Sequence, residues 1–200
     1  CCSTAGEMGL IDTGLILEIV DRVVTNHSID ESRIYLTGWS NGCSLSQKLA
    51  NDHSDVFAAV ACMSYYLLED PSPDYSPIPI MEIHGLEDQI ILYSNDAIHL
   101  PNMDAQKHGA IQNLQQWGNM NGCGDKAPDS NSPSVFYSVQ TFTDCDNGTE
   151  VSLVTLYAAD HNPYEEGIGV FVGNGGTVDT NGIAWEFLSR FSKEVDLNST

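Results

Sequence analysis

Basic side chains are scarce in this sequence of 200 residues: 7 lysines and arginines stand against 28 aspartates and glutamates, for a net charge of −21 at pH 7. Nucleic acids and anionic membranes bind through basic patches, so we expect neither as a partner. The longest apolar stretch, from Val56 to Leu68, is shorter than the roughly 20 residues that cross a bilayer. We interpret the acidic residues as scattered over a solvated surface.

The sequence also lacks an internal repeat, a domain boundary, a visible signal peptide and the cysteine or histidine spacing of a zinc site. We therefore favour structural disulfides over a metal site, and we expect neither a metal nor an organic cofactor. Three N-x-S/T triplets, at Asn26, Asn147 and Asn198, would permit glycosylation on a secretory route. Together these features indicate a secreted, monomeric single domain.

Six cysteines are more than a cytosolic protein of this length usually carries. Cys123 and Cys145 flank a segment rich in proline, serine, aspartate and glycine. A bridge between them would close a loop of about 20 residues and contribute roughly 3 kcal/mol in the chain-entropy model. Of the other four cysteines, Cys1 and Cys2 could each reach Cys43 or Cys62. The sequence alone cannot assign this pairing.

The most informative segment is RIYLTGWSNG, residues 33–42. It predicts a strand that runs into GWSNG, which matches G-x-S-x-G around Ser40, and a helical pattern follows. A serine on so tight a turn has a strained backbone, and the small residues Gly38 and Gly42 leave room for it. Its hydroxyl then projects at a helix N-terminus, whose dipole favours developing negative charge. The motif indicates a nucleophile; an exposed serine in an ordinary strand-to-helix corner is the alternative.

A serine nucleophile needs a base, and in α/β-hydrolases the acid and the histidine follow the serine in that order. The predicted strand IPIMEIHG, residues 78–85, is followed by Glu87 and Asp88. The predicted strand VSLVTLY, residues 151–157, is followed by His161. Each candidate therefore lies where the carboxyl end of a strand would bring it to a common edge of the sheet.

These motifs resemble those of the feruloyl-esterase and polyhydroxybutyrate-depolymerase family of secreted α/β-hydrolase esterases. The resemblance rests on the GWSNG elbow, on FAAV at 57–60, on HGLED at 84–88 and on the lone His161 after its strand. It extends over nearly the whole chain. It implies an extracellular enzyme whose partner is an ester substrate, either a plant cell-wall polysaccharide or a polyester.

The resemblance also implies a role for each site residue. Ser40 would be the nucleophile, His161 the general base and then acid, and Asp88 the carboxylate that orients the imidazole, with the Asn41 N–H in the oxyanion hole. Aromatic residues on or next to strand ends near this site are the candidates for substrate binding: Trp39, Tyr65, Tyr93 and Tyr164.

Neighbouring polar residues have other interpretations. Glu87 is the alternative to Asp88 as the acid, because a shift of one residue reverses the direction of a side chain. Asp160 is expected to point away from His161, and His84 is expected to have a structural role in holding the acid loop.

Only about 30 residues precede the elbow strand, and they predict one helix, although the fold requires several strands there. We therefore expect residues 1–200 to be a single but partial catalytic domain. It would lack the N-terminal part of the fold and with it the second oxyanion donor, whose loss would impair activity when the segment is isolated. Such a piece would expose a strand edge and apolar faces. A complete minimal sheet of four or five strands is the alternative.

The predicted layout alternates strands with helices, which is typical of a mostly parallel α/β sheet with helices on both sides. The predicted helices cover about 12–25, 41–52, 104–117 and 181–191, and the predicted strands about 34–37, 56–64, 78–85, 135–142 and 151–157. With the G-x-S-x-G elbow this predicts an α/β-hydrolase fold.

The predicted function is hydrolysis of hydroxycinnamoyl polysaccharide esters, or of polyesters such as polyhydroxybutyrate, by a serine carboxylesterase. Two alternatives stay open. A prolyl-type serine peptidase has the same fold and order of residues, and a non-catalytic protein could use the fold for binding.

Overall fold

A computed structural model of the protein describes residues 12–94, 109–124, 127–162 and 178–193. The helices in these ranges are α1 (Asp12–Asn26), α2 (Asn41–Asp52), α3 (Ala110–Met120) and α4 (Thr180–Leu188). The strands are β1 (Tyr35–Trp39), β2 (Ala59–Met63), β3 (Ile80–Gly85), β4 (Asp129–Asn131), β5 (Tyr137–Phe142) and β6 (Val151–Leu156).

The six strands form one sheet in the order β1-β2-β3-β6-β5-β4. Strands β1, β2, β3 and β6 run parallel, whereas β5 and β4 add an antiparallel ladder beyond β6. Ligands of open parallel sheets bind outside the carboxyl ends of the strands. The segments that follow β1, β3 and β6 all begin at that edge. The mixed sheet flanked by helices confirms the predicted mostly parallel α/β architecture.

Helices cover both faces of the sheet, as the strand sequences predict. Strand β2 is buried along its whole length, which agrees with its continuous apolar sequence AVACM. Val60 and Cys62 belong to the core cluster that includes α2 and α3. Ala59, Ala61 and Met63 belong to the opposite cluster, which includes α4.

Most predicted elements are observed close to their predicted bounds. The helix predicted over 41–52 occupies those residues. The helix predicted at 104–117 is observed at Ala110–Met120, and residues 104–108 lie outside the described part of the chain. Strand β4 was missed because its three residues, DSN, are polar and exposed, and it exists only through pairing with β5.

Strand β1 is an edge of the sheet among the described residues. Beside it, α1 packs Ile16, Leu17 and Val20 against the core. Along the same helix Leu15, Ile19 and Val23 are 57%, 47% and 40% exposed, at a spacing of four residues that puts them on one stripe. An exposed edge and an apolar stripe are the features predicted for a partial fold; that the domain is partial stays a prediction.

Two disulfides join parts of the described chain, and every cysteine within those ranges is bonded. The predicted Cys123–Cys145 bridge is confirmed. Cys43 is bonded to Cys62, so the expectation that either could pair with one of the first two cysteines is wrong. The cause is the short β1–α2–β2 connection, which brings the first turn of α2 over β2. Residues 1 and 2 lie outside the described part.

The Cys43–Cys62 bridge lies in a buried polar cluster directly behind the elbow. Gln47 donates a 2.8 Å hydrogen bond to the Tyr65 carbonyl and accepts a 2.7 Å bond from the Trp117 indole N–H. Trp117 is fully buried. Since the bridge and these bonds join α2 to β2 and α3, the helix behind Ser40 is held on three sides. None of the described helices is long and apolar enough to cross a membrane.

Candidate active site

Ser40 occupies the turn between β1 and α2, with φ 54° and ψ −123°. Few non-glycine residues adopt positive φ, and such strain costs on the order of 1–3 kcal/mol. Backbone hydrogen bonds hold the turn: the Ser40 N–H donates to the Met63 carbonyl at 2.8 Å, and the Ser40 carbonyl accepts from Cys43 N–H at 2.8 Å and Ser44 N–H at 3.1 Å. The predicted elbow is therefore present as a strained, strongly hydrogen-bonded turn.

The two glycines of the motif contribute differently. A Cβ added at Gly38 would lie 2.4 Å from the carbonyl carbon and oxygen of Gly42, so the turn closes only with glycine at 38. A Cβ added at Gly42 meets no described atom within 4 Å. The expectation that a small residue is needed thus holds for Gly38. At position 42 a side chain would have room, and Gly42 contributes only the backbone carbonyl that Gly38 approaches.

We predict that Gly38→Ala lowers the predicted esterase activity by about 100-fold or more, because the methyl group forces β1 and α2 apart and a shift near 1 Å at a reacting group can cost that much. The matched variant Gly42→Ala should keep activity within a few-fold, since its methyl group enters open space. Hydrolysis of a p-nitrophenyl ester measures both. Equal losses in the two variants would contradict the assignment of the close contact to Gly38.

Three side chains from separate loops meet at the carboxyl edge of the sheet. The distance from Ser40 Oγ to His161 Nε2 is 2.9 Å, and from His161 Nδ1 to Asp88 Oδ2 it is 2.7 Å. An ionised carboxylate only accepts hydrogen bonds, so Nδ1 carries the proton and Nε2 accepts from the serine hydroxyl. The three side chains form one hydrogen-bonded line, which is the arrangement that a nucleophile, a base and an orienting acid require; these roles stay a prediction.

Four groups donate hydrogen bonds to the Asp88 carboxylate. Its side chain is fully buried, and Oδ1 accepts from the N–H groups of Ile90 at 2.9 Å and Ile91 at 2.8 Å. Burial alone would raise the pKa of Asp88, but hydrogen bonds from His161, His84 and these two N–H groups outweigh it and leave the pKa well below its usual value. The carboxylate is therefore ionised and immobile.

The alternative acid and the neighbouring aspartate lie away from this line. Glu87 is exposed, and its backbone N–H donates to the Ala159 carbonyl at 3.0 Å. Asp160 is also exposed and accepts a hydrogen bond from Asn162. Asp88 alone of the two predicted acids contacts the imidazole.

The candidate substrate-binding aromatics lie in different environments. The Trp39 ring is 39% exposed, and its centroid is 5.1 Å from that of His161. Tyr65 is 8% exposed and belongs to the core. Tyr93 is half-buried and hydrogen-bonds to Thr155 at 2.7 Å. Tyr164 lies outside the described residues, and substrate binding by any of the four stays a prediction.

Asn41 is the first residue of α2, so its N–H has no acceptor within the helix. Its position directly after Ser40 is the one that the predicted oxyanion donor requires. The described residues contain no group of three or more metal-ligating side chains.

Glu82 is a buried residue of the site region that the sequence interpretation missed. It is 3% exposed in the middle of β3, where its carboxylate accepts from His84 and Asn113. The available signal was a single acid inside the apolar strand IPIMEIHG, because an acid is almost never fully buried without a partner.

Comparison with known proteins shows that the chain is similar to a group of esterases. The family model described as "Esterase PHB depolymerase" matches residues 2–146. The chain is 24% identical over 198 residues to feruloyl esterase B of Piromyces equi, covering 96% of the chain and 33% of that protein. It is also 24% identical over 198 residues to a bifunctional acetylxylan esterase/xylanase of Neocallimastix patriciarum, covering 99% of the chain and 26% of that protein.

A solved structure of the acetyl xylan esterase from Aspergillus awamori has the same fold, with a TM-score of 0.58. The sequence identity is 15%, and the match covers 78% of this chain and 64% of the other. The chain spans about a quarter to a third of the length of the two curated relatives.

Proposed function

Because the chain belongs to the PHB depolymerase esterase family, we propose that it is a serine esterase that hydrolyses carboxylic esters through an acyl-enzyme intermediate. The observation that carries the proposal is the hydrogen-bonded line from Ser40 through His161 to Asp88, with 2.9 Å and 2.7 Å between successive heavy atoms. Nucleophile and base are within hydrogen-bond reach, and the base is oriented by a third group, which is the arrangement that nucleophilic catalysis requires.

In the first step His161 Nε2 takes the hydroxyl proton while Ser40 Oγ attacks the ester carbonyl carbon. Asp88 keeps the second ring proton on Nδ1 and stabilises the imidazolium. The imidazolium then gives its proton to the departing alcohol, which leaves the acyl group on Ser40. In the second step water attacks the acyl carbon, His161 takes its proton, and the acid product is released as Ser40 is reprotonated.

Negative charge develops on the carbonyl oxygen in both steps. The Asn41 N–H lies at the start of α2, where the helix dipole also favours an anion. Each donor of an oxyanion hole is worth about 10²–10³ in rate. We propose that Asn41 supplies one such donor.

The proposed substrates are esters of hydroxycinnamoyl polysaccharides or polyesters of the hydroxybutyrate type. Two relatives are named feruloyl esterase and acetylxylan esterase, and a 46-residue segment is 46% identical to poly(3-hydroxyalkanoate) depolymerase C of Paucimonas lemoignei, covering 23% of the chain and 11% of that protein. Exposed apolar side chains support an apolar acyl site: Trp39, Leu86 and Ile90 lie next to Ser40 and Asp88 in sequence and are 39%, 48% and 63% exposed.

We propose that the protein is secreted and that these residues form part of a single catalytic domain. The two disulfides support an oxidising compartment. Among the described residues β1 has no strand on its outer side, and this edge supports a partial domain together with the exposed stripe on α1.

A substrate panel tests the proposed function. We expect release of product from methyl ferulate, acetylated xylan or a hydroxybutyrate oligomer, and none from a prolyl peptide anilide. Covalent labelling of Ser40 by a fluorophosphonate, located by mass spectrometry, distinguishes an enzyme from a binding protein. Cleavage of the anilide with no ester hydrolysis would support the peptidase, and an unlabelled Ser40 with no turnover would refute the enzyme.

A further inference from the structure

Behind Asp88 lies a second buried histidine that the mechanism above does not use. His84 Nε2 is 3.5 Å from Asp88 Oδ2, the same oxygen that accepts from His161. His84 Nε2 also lies 2.8 Å from the Ile91 carbonyl oxygen. Since that oxygen can only accept, Nε2 carries a proton, and its N–H is directed at the loop that holds Asp88.

The other nitrogen of His84 faces a second carboxylate. Nδ1 is 2.6 Å from Glu82 Oε1, and both side chains lie on the same face of β3, two residues apart. Glu82 Oε2 accepts from the Asn113 amide at 2.5 Å, and Asn113 Oδ1 accepts from the Leu67 N–H at 3.0 Å. The pair is thus fixed to α3 and to the segment after β2.

The surroundings of the pair are closed to water. His84 is fully buried and Glu82 is 3% exposed. The Tyr66 ring stacks on His84 at 5.7 Å with an interplanar angle of 14°, and the Tyr93 ring meets it edge-on at 5.7 Å. A buried charge is tolerated only when it is paired and hydrogen-bonded, and every polar atom of this pair has such a partner.

The titratable groups that face His84 in the described residues are two carboxyls and two phenols. Glu82 lies on β3 and Asp88 on the loop after it; Tyr66 follows β2 and Tyr93 follows β3. Burial raises the pKa of both tyrosines, so they are neutral. On β6, the register partner of His84 is Thr155, which does not titrate.

Protonation of the pair follows from these contacts. Burial would lower the pKa of His84, but hydrogen bonds to Asp88, Glu82 and the Ile91 carbonyl raise it to about 9. Burial also raises the pKa of Glu82, against the effect of His84 and Asn113. One proton is therefore kept between Nδ1 and Oε1 across neutral pH, with the positive end of the pair directed at Asp88.

We propose that Glu82 and His84 are positioning residues of the esterase reaction: they fix the Asp88 carboxylate at Oδ2, the oxygen that also accepts from His161, and place a positive charge beside it. The inference rests on the proposed function of Ser40, His161 and Asp88. A positive charge there weakens the attraction of Asp88 for the imidazolium form of His161 and so favours the neutral imidazole that takes the serine proton. The pair thus extends esterase activity toward acidic pH.

Glu82→Gln tests the charge without removing the hydrogen bonds. The glutamine amide can donate to a neutral His84 at Nδ1 while its oxygen still accepts from Asn113. We expect the acid limb of the kcat/KM profile to move to higher pH by about 0.5–1 unit. This is less than the roughly 3 units that an uncompensated charge about 4 Å away would cause at an effective dielectric of about 20, because the Glu82 carboxylate offsets part of the His84 charge. His84→Gln keeps an amide donor for the Ile91 carbonyl and should move the limb in the same direction.

The double variant should shift the limb no further than His84→Gln alone, because the charge is already absent. Thr155→Val is the matched control: it deletes the buried hydroxyl that contacts Tyr93 and should lower the melting temperature without moving the limb. The proposal would be overturned if the kcat/KM profiles of both single variants had the same pH dependence as the wild type and differed only in height. The pair would then have a structural role alone.

A readout without catalysis separates this proposal from the proposed function. The midpoint at which the His161 ring titrates, followed by NMR of the labelled imidazole, should rise in Glu82→Gln and in His84→Gln by the same amount as the acid limb. If the wild type is inactive but the His161 midpoint still moves in the two variants, the proposed esterase function is refuted, whereas the electrostatic effect of Glu82 and His84 on His161 is supported. If the wild type is active but the His161 midpoint is the same in both variants as in the wild type, only the proposed role of Glu82 and His84 is refuted.

Discussion

Ser40→Ala is expected to lower kcat for ester hydrolysis by on the order of 10⁶, which is the effect of deleting the nucleophile of a comparable triad. Without Oγ the imidazole of His161 has no hydroxyl to deprotonate, and its 2.9 Å contact is lost. KM should change little, because the Asn41 N–H and the side chains around Ser40 are unaltered. Initial rates on a p-nitrophenyl ester at equal concentrations of folded protein measure the loss.

A second serine on the same helix provides the control. Ser46 donates its hydroxyl to the Gly42 carbonyl at 2.8 Å and is 4% exposed. Ser46→Ala removes a buried serine hydroxyl one and a half turns along α2, and activity should stay within a few-fold. If Ser40→Ala retained most of the wild-type activity, the nucleophile would have to be assigned elsewhere.

Asp88→Asn is expected to lower kcat by about 10⁴, the magnitude measured for loss of the orienting carboxylate in a serine protease triad. The structure explains which way the asparagine would turn. The N–H groups of Ile90 and Ile91 require an acceptor at the Oδ1 position, so the amide oxygen stays there and the amide nitrogen faces His161. That nitrogen donates to Nδ1, which moves the ring proton to Nε2 and removes the base from Ser40.

Steady-state rates measure this loss, and NMR of the His161 ring reports the tautomer directly. Glu87→Gln is the control, because Glu87 is exposed and was the alternative acid; its activity should match the wild type. A severe loss in Glu87→Gln together with an active Asp88→Asn would exchange the two assignments.

Most of the sheet could be predicted because its strands carry their own pattern. The continuous apolar sequence of β2 predicts burial on both faces, the alternating sequence of β6 predicts a strand, and the glycines around Ser40 predict a tight turn whichever way the rest folds. The predicted helix over 41–52 is observed unchanged. These features depend on residues close together in the chain, where local sterics and hydrophobic periodicity dominate.

The features that were missed depend on distant partners. Strand β4 has no apolar alternation and forms because β5 offers an edge. The Cys43–Cys62 bond requires α2 to lie over β2, which no spacing rule reveals. Glu82 looks out of place in β3 until Asn113, thirty-one residues later, supplies its hydrogen bond.

For the candidate site the division is similar. Ser40, Asp88 and His161 were each identifiable as polar residues directly after a predicted strand, and their order along the chain agrees with an α/β-hydrolase. Their proposed roles as nucleophile, acid and base depend on two distances, 2.9 Å and 2.7 Å, between residues up to 121 positions apart. Local sequence determines backbone conformation and burial because those forces act over a few residues. Only the packed sheet decides which side chains share a proton, since a hydrogen bond tolerates errors of a few tenths of an ångström and no pattern along the chain encodes position that finely.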